Sequence, residues 1–318
     1  MLRRLKTLLR PLAVRLGLRA PLPASVPSPA AVRAPKVPMQ RSELSSADTA
    51  LYKRHAERSV ELFLLDAGMI RRQDRAIARA VHAFFSGTQA FRRISVEEIA
   101  RVVGQFREVY LQSPITMNSG GANFPSGVNL YLMAACLAPE LIVESGVWRG
   151  QSSLFLAAAC PQAQIHAFDP SLAEVLHRSA GVTYHEHDWM GLEVDCKPGS
   201  RGLCFFDDHQ NQAVRILQAH ARGFKYVVVD DSWPIETITG CGWPPIPTVD
   251  MIMGDPLAPG ETVNWVEMGK QWTYVHTAEM QDLCAQARRA IRAAYEVPSL
   301  YRECGIAPTS AYKFVELT

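Results

Sequence analysis

The 318-residue chain has no CxxC pair among its seven cysteines, no acidic residue among its first 42 positions and no internal repeat. It also lacks any uninterrupted apolar run of about 18 residues, the length a membrane-spanning helix needs. Each absence excludes something. Seven isolated cysteines (Cys136, Cys160, Cys196, Cys204, Cys241, Cys284, Cys304) argue against a zinc ribbon or a disulfide framework and for a reducing, cytoplasmic compartment. A chain with 48% hydrophobic and 20% charged residues is neither disordered nor collagenous. Its length accommodates one or two domains, each able to bury a core.

The charge divides the chain. Residues 1–42 hold nine of the 33 basic side chains (Arg3, Arg4, Lys6, Arg10, Arg15, Arg19, Arg33, Lys36, Arg41), so the remainder carries a net charge of −7. A mildly acidic body with a basic tail excludes a nucleic-acid-binding domain, which would carry a basic face on the fold itself. Within the tail, Leu2, Leu5, Leu9, Leu12 and Leu16 recur at helical spacing, Pro11 interrupts them, and a proline-rich run follows from Pro21 to Pro38. Three readings stand side by side: a disordered basic tail, a membrane-surface contact through residues 1–20, and an organellar import presequence.

Residues 43–115 read as a helical layer. Ser45 and Asp48 offer caps for an apolar run from Leu51 to Leu65. Ile77, Ala80, Val81, Phe84 and Phe85 form a stripe, and Ser95-Val96-Glu97-Glu98 is a capping box. From about residue 116 the pattern changes to strands alternating with helices. Strands are predicted at Leu141–Val143, Gln164–Phe168, Val182–Tyr184, Leu203–Phe206 and Tyr226–Val229, and helices at Ser152–Ala159 and Gln210–Ala221. A helix at Ala278–Ala293 and an edge strand at Ala311–Leu317 close the chain. That rhythm predicts an α/β fold whose mostly parallel sheet is covered on both faces, with ligands at the carboxyl ends of its strands.

Most of those strands end in polar residues, and the first turn discriminates among cofactors. It reads Glu144-Ser145-Gly146-Val147-Trp148-Arg149-Gly150-Gln151-Ser152-Ser153, without the GxGxxG that a dinucleotide pyrophosphate wants. A carboxylate at Glu144 repels pyrophosphate and suits a cation, which favours S-adenosylmethionine with its ammonium and sulfonium groups. Gly146 and Gly150 then allow close backbone approach, with Ser152 opening the helix. Asp169 is placed for the ribose hydroxyls, and Asp188 with Trp189 for the adenine edge and face.

The run from Leu141 to Trp233 resembles a class I S-adenosylmethionine-dependent methyltransferase. It is closest to the branch of cephalosporin-hydroxylase-like proteins and macrolide-sugar O-methyltransferases. Members share a Glu-x-Gly turn without the full glycine triplet, an Asp-rich end to strand four and an acidic pair ending strand five. The resemblance implies a Rossmann-like, doubly wound, mostly parallel seven-stranded sheet with an N-terminal helical layer. It implies cofactor binding by Glu144, Gly146 and Asp169, and an adenine contact at Asp188.

Asp207, Asp208, Asp230 and Asp231 end neighbouring strands, and carboxylates so placed repel unless a cation or protons intervene. Oxygen-only donors favour Mg²⁺ or Ca²⁺. By resemblance, Mg²⁺ is held by Asp230, Asp231 and one of Asp207 or Asp208; Phe206 stands where the family's first strand-four acid belongs. Mg-assisted methylation of a hydroxyl on a sugar or secondary metabolite follows, with His209 as base ahead of His185 and His187, and Asp207 and Asp231 beside it. The acceptor pocket is expected between the segment Asn118–Pro125 and an insert over about residues 232–271, which holds Trp233, Trp243 and Trp265. A homo-oligomer contact suits that insert equally well. A hydroxylase-like enzyme of the same branch and a non-catalytic binding protein retaining the fold are the competing functions.

Overall fold

The computed structural model describes residues 45–46, 66–116, 118–240, 245–267 and 270–318. The tail of residues 1–42 and nearly all of the helix expected from Ser45 to Leu65 lie outside the described residues. Among the described residues no helix is long and apolar enough to cross a membrane.

Two amphipathic helices come first, α1 (Ala67–Gly87) and α2 (Val96–Gln112). Asp66 caps α1, and Ser95 with Glu98 forms the expected capping box on α2. Ile77, Val81 and Phe85 of α1 are buried as the stripe predicts, together with Ala78, while Ala80 and Phe84 pack at its margin. A nearly buried ion pair, Arg107–Asp74 at 2.5 Å, ties the two helices together. Helix α3 (Phe124–Leu137) is apolar on every side and is enclosed accordingly.

The sheet follows: β1 (Leu141–Ser145), β2 (Gln164–Phe168), β3 (Val182–His185), β4 (Gly202–Phe206), β5 (Tyr226–Val229), β8 (Ile291–Glu296) and β9 (Lys313–Leu317). Their order is β3-β2-β1-β4-β5-β9-β8. Strands β1 to β5 run parallel, and β9 is antiparallel to both its neighbours. The fold is the Rossmann-like, seven-stranded α/β architecture. On one face lie α1 to α3 and α4 (Gln151–Ala159); on the other lie α5 (Gln212–Ala221), α6 (Val249–Met253) and α7 (Ala278–Ala290). A separate hairpin of β6 (Thr262–Glu267) and β7 (Lys270–Val275) sits in the expected insert.

Two expectations at the carboxyl end are corrected. The helix expected to Ala293 stops at Ala290, and β8 begins at once at Ile291. The Ala- and Arg-rich sequence has helical propensity, but pairing with β9 overrides it. Nor is β9 an edge strand. It lies inside the sheet, with Phe314 and Val315 fully buried on opposite faces, and β8 forms the edge.

Candidate functional site

Alternation along each strand decides which end residues meet. In β1, Ile142 faces the α1–α4 layer and Val143 the α5–α7 layer, so Glu144 turns toward α4 and Ser145 toward α5. In β4, Phe205 and Phe206 divide in the same way, and the two acids that follow separate. Asp208 turns toward α5, and Asp207 lies among Asp230, Asp231 and Glu144. Strand order changes direction between β1 and β4, the place where open α/β sheets bind ligands.

A cleft of about 530 Å³ opens there. One wall is the turn Gly146–Arg149 with Gln151 and Ser152, and the other is Asn118 with Gly120–Ala122. Asp169, Pro170, Asp207, Asp208 and His209 complete the lining. Asp169 shapes the turn: its Oδ2 accepts the N–H groups of Val147 (3.0 Å) and Trp148 (3.3 Å), and its Oδ1 that of Ser171. Gly146 has φ +95°, and a β-carbon there would stand 2.0 Å from the carbonyl oxygen of Asp207. The first turn is therefore pressed directly onto the end of β4. Trp148 has φ +47°, a conformation costing a residue with a β-carbon roughly 1–2 kcal/mol. Its indole N–H donates to the Ser119 carbonyl at 3.2 Å, joining the two walls.

The cleft thus brings together Gly146, Ser152, Asp169, Asp207, Asp208 and His209, with the expected Asn118–Ala122 segment opposite. Other predicted residues stand elsewhere. Glu144 is fully buried beneath the turn, where the Ser153 hydroxyl donates to it at 2.5 Å; it is not on the cleft wall, which corrects its expected direct contact with the cofactor. Burial outweighs the hydroxyls of Ser152 and Ser153 and pushes its pKa up to about 7. Gly150 (φ +88°) does not line the cleft, and the His177 carbonyl oxygen would lie 2.3 Å from a β-carbon there, which requires glycine on steric grounds. Trp189 is fully buried and its indole donates to Gln218, so it stacks on no adenine in the cleft. Asp188 caps the short helix at Trp189–Gly191 and is ion-paired with Arg215, off the cleft wall.

The acidic end is more divided than its sequence implies. Asp208 spends both oxygens: Oδ2 accepts from Ser145 Oγ (2.6 Å) and Arg215 (2.7 Å), and Oδ1 from the Gln210 N–H. Asp230 Oδ1 accepts the N–H groups of Asp231 (2.6 Å) and Ala311 (3.1 Å). These engagements correct the four-carboxylate metal set. Among the described residues no group of three or more His, Cys, Asp or Glu side chains is arranged to hold a metal ion. Burial, then the charges of Asp230 and Asp231, raises the Asp207 pKa well above the carboxylate range, and burial takes Asp230 to about 7. His209 Nδ1 lies 3.5 Å from Asp231 Oδ2, and its side chain is 46% exposed. His185 and His187 are set aside as bases: they stand beside Phe168 and His166 rather than on the cleft.

Within the insert, none of the described residues of 232–271 lines the cleft. Trp265 stacks on Trp272 across the β6–β7 hairpin instead. Three contributors went unforeseen in the sequence. Arg149 and Gln151 line the cleft, and Arg215 organises its acidic end; the one signal for Arg215 was an arginine at the spacing of the apolar stripe Ala213, Ile216, Ala219.

No protein-family model matches the chain, and no curated protein matches it. Solved structures do. One is TomG of Streptomyces achromogenes, an O-methyltransferase of tomaymycin synthesis in complex with SAM, at 16% identity and TM-score 0.39 over 75% of this chain and 96% of that one. Another is the SAH-bound methyltransferase PaMTH1 of Podospora anserina, at 13% identity and TM-score 0.38 over 81% and 98%. A third is CmcI with Mg and SAM, at 20% identity and TM-score 0.28 over 38% and 53%. These likenesses concern the path of the chain, and the roles of residues rest on the geometry above.

Proposed function

We propose that the chain is an S-adenosylmethionine-dependent methyltransferase acting on a hydroxyl of a small molecule, a sugar or secondary metabolite. The observation that carries the reading is Asp169 at the end of β2, an acid that lines the switch-point cleft and holds its first turn. Three amides of the first turn are turned away from a pyrophosphate, since Val147 and Trp148 donate to Asp169 and Gly150 donates to the Val147 carbonyl. A cationic nucleoside fits where a polyanion does not.

Asp169 keeps acceptor capacity toward the cleft for ribose hydroxyls while holding the turn. Gly146 and Ser152 line the middle of the cleft, where the methionyl part would lie. Asp207 faces the sulfonium or the acceptor, and His209, oriented by Asp231, takes the acceptor proton as the oxygen attacks the methyl group and S-adenosylhomocysteine leaves.

Asp207 and Asp231 would be the residues to hold a Mg²⁺, because the repulsion at Asp207 calls for either a proton or a cation. When bound, that ion supplies charge neutralisation and acidifies a hydroxyl. The test is transfer of a labelled methyl group from S-adenosylmethionine to a panel of vicinal-diol sugars and phenols, with Mg²⁺ and with EDTA. Label in an acceptor supports the reading, and loss with EDTA supports the ion. Failure of every acceptor together with absence of cofactor binding overturns it. Peripheral membrane contact by residues 1–20 belongs to the same proposal and is tested by flotation of the full chain against a chain starting at Ser42; equal flotation removes it.

A further inference from the structure

Helix α1 presents solvent with a face of one sign. Arg71, Arg72, Arg75 and Arg79 are all exposed, and at about 100° per residue they fall, with His82, inside one arc of roughly 100°. The helix itself exposes no acid: beyond its cap, Asp66, the one carboxylate is Asp74, buried against Arg107. Among the described residues no carboxylate pairs with any of the four arginines. Other helices mix their signs. Helix α2 exposes Glu97 and Glu108 beside Arg101, and α7 exposes Glu279 and Asp282 against Arg288 and Arg289. On α1, Arg71–Arg75 and Arg75–Arg79 are like charges at i,i+4 and Arg72–Arg75 at i,i+3, spacings at which like charges destabilise a helix. Such a row, on a body whose net charge is −7, calls for an anionic partner.

What stands beside the row indicates the kind of partner. Met69, in the first turn of α1, is 51% exposed. Tyr301 is 57% exposed in the turn Tyr301–Cys304, which Gln73 of α1 holds by donating to the Glu303 carbonyl at 3.1 Å. Guanidinium groups flanked by an apolar and an amphipathic side chain suit the boundary between lipid headgroups and acyl chains. The row carries no Phe, Tyr or Trp on which a nucleobase could stack. Residues 1–42 bring nine further basic side chains and no acid, and two weak membrane contacts on one chain reinforce each other where one alone is marginal. We propose that the arginine row of α1 is a docking face for an anionic bilayer, its guanidinium groups set on the phosphates of the headgroups. The proposal goes beyond methyl transfer and stands independently of it.

The experiment is co-sedimentation of the full chain with vesicles of phosphatidylcholine, alone or mixed with phosphatidylserine. The unaltered chain is compared with R75Q/R79Q, R75K/R79K and R289Q, the last removing a charge from α7 in the opposite layer. Partition favours the phosphatidylserine vesicles and falls as salt is raised. It weakens about fivefold for each arginine neutralised on α1, hence roughly 25-fold in R75Q/R79Q. R75K/R79K keeps most of the binding because the attraction is one of charge, and R289Q binds as the parent does. R75Q/R79Q melts no lower than the parent, since like charges have been relieved. Undiminished binding by R75Q/R79Q, or no preference of the parent for phosphatidylserine, overturns the proposal. A loss in R75K/R79K as large as in R75Q/R79Q, or a lower melting point in R75Q/R79Q, overturns it as well. So does tighter binding of the parent to duplex DNA or polyglutamate than to the vesicles, abolished in R75Q/R79Q, which would give the row to a nucleic acid or an acidic polypeptide.

Discussion

Replacing Gly146 by alanine tests the most constrained contact in the site. The new β-carbon would sit 2.0 Å from the Asp207 carbonyl oxygen and 2.4 Å from its carbon, and both are backbone atoms held in the sheet. The residue also keeps φ +95°, where an L side chain costs roughly 1–2 kcal/mol. Relieving the clash adds the cost of overpacking, about 1–3 kcal/mol. The sum is about 2–5 kcal/mol, or roughly 5–15 °C of melting temperature for a domain of this size. Gly181 supplies the control: it has φ +79° and nothing within 4 Å of its would-be β-carbon. Its alanine variant therefore bears only the conformational cost, roughly 1–2 kcal/mol. Calorimetric melting of both variants separates the two effects. Equal losses would refute the close approach of the first turn to β4, and with it the floor of the cleft.

Other perturbations follow from the same geometry. Glu144 binds its proton more tightly folded (about 7) than at its ordinary value of 4.5, so its contribution to stability is present below about 4.5 and is lost as pH rises to about 7. E144Q flattens that window in a pH series of melting curves, and an unchanged slope contradicts the burial argument. H209Q lowers the methyl-transfer rate about 10²- to 10⁴-fold with cofactor affinity nearly unchanged, read by calorimetry beside initial rates; a rate equal to that of the parent removes His209 as base. S95A removes the Ser95 Oγ that accepts the Glu98 N–H in the α2 capping box and costs about 1 kcal/mol, seen as a small drop in melting temperature.

Much of the fold was legible because its signals are local. The strands β1, β2, β4 and β5 are short apolar runs bounded by polar or glycine-bearing turns, and the Ser95 capping box announces α2 from four residues. The carboxyl end was misread because its conformation is decided elsewhere. Residues 291–296 are helix formers held extended by β9, which enters the sheet between β5 and β8.

The site was legible at Gly146, Ser152, Asp169, Asp207 and His209, which stand at strand ends or in the first turn and meet in the cleft. It was misread wherever the direction of a side chain decided the matter. Glu144 follows the β1 alternation under α4, and Trp189 turns into the core. Composition shows four acids together but not that Arg215, on a different element, engages one of them and that backbone amides engage another. Such pairings are properties of the assembled sheet, and no single segment encodes them.

The central claim is that the switch-point cleft takes a cationic nucleoside through Asp169. Calorimetric titration of the full chain with S-adenosylmethionine, beside D169A, tests it most directly. Saturable one-to-one binding is expected, weakening by at least about tenfold in D169A, which removes a charged acceptor from the turn and from the ribose. No binding by the unaltered chain, or equal binding by D169A, contradicts it.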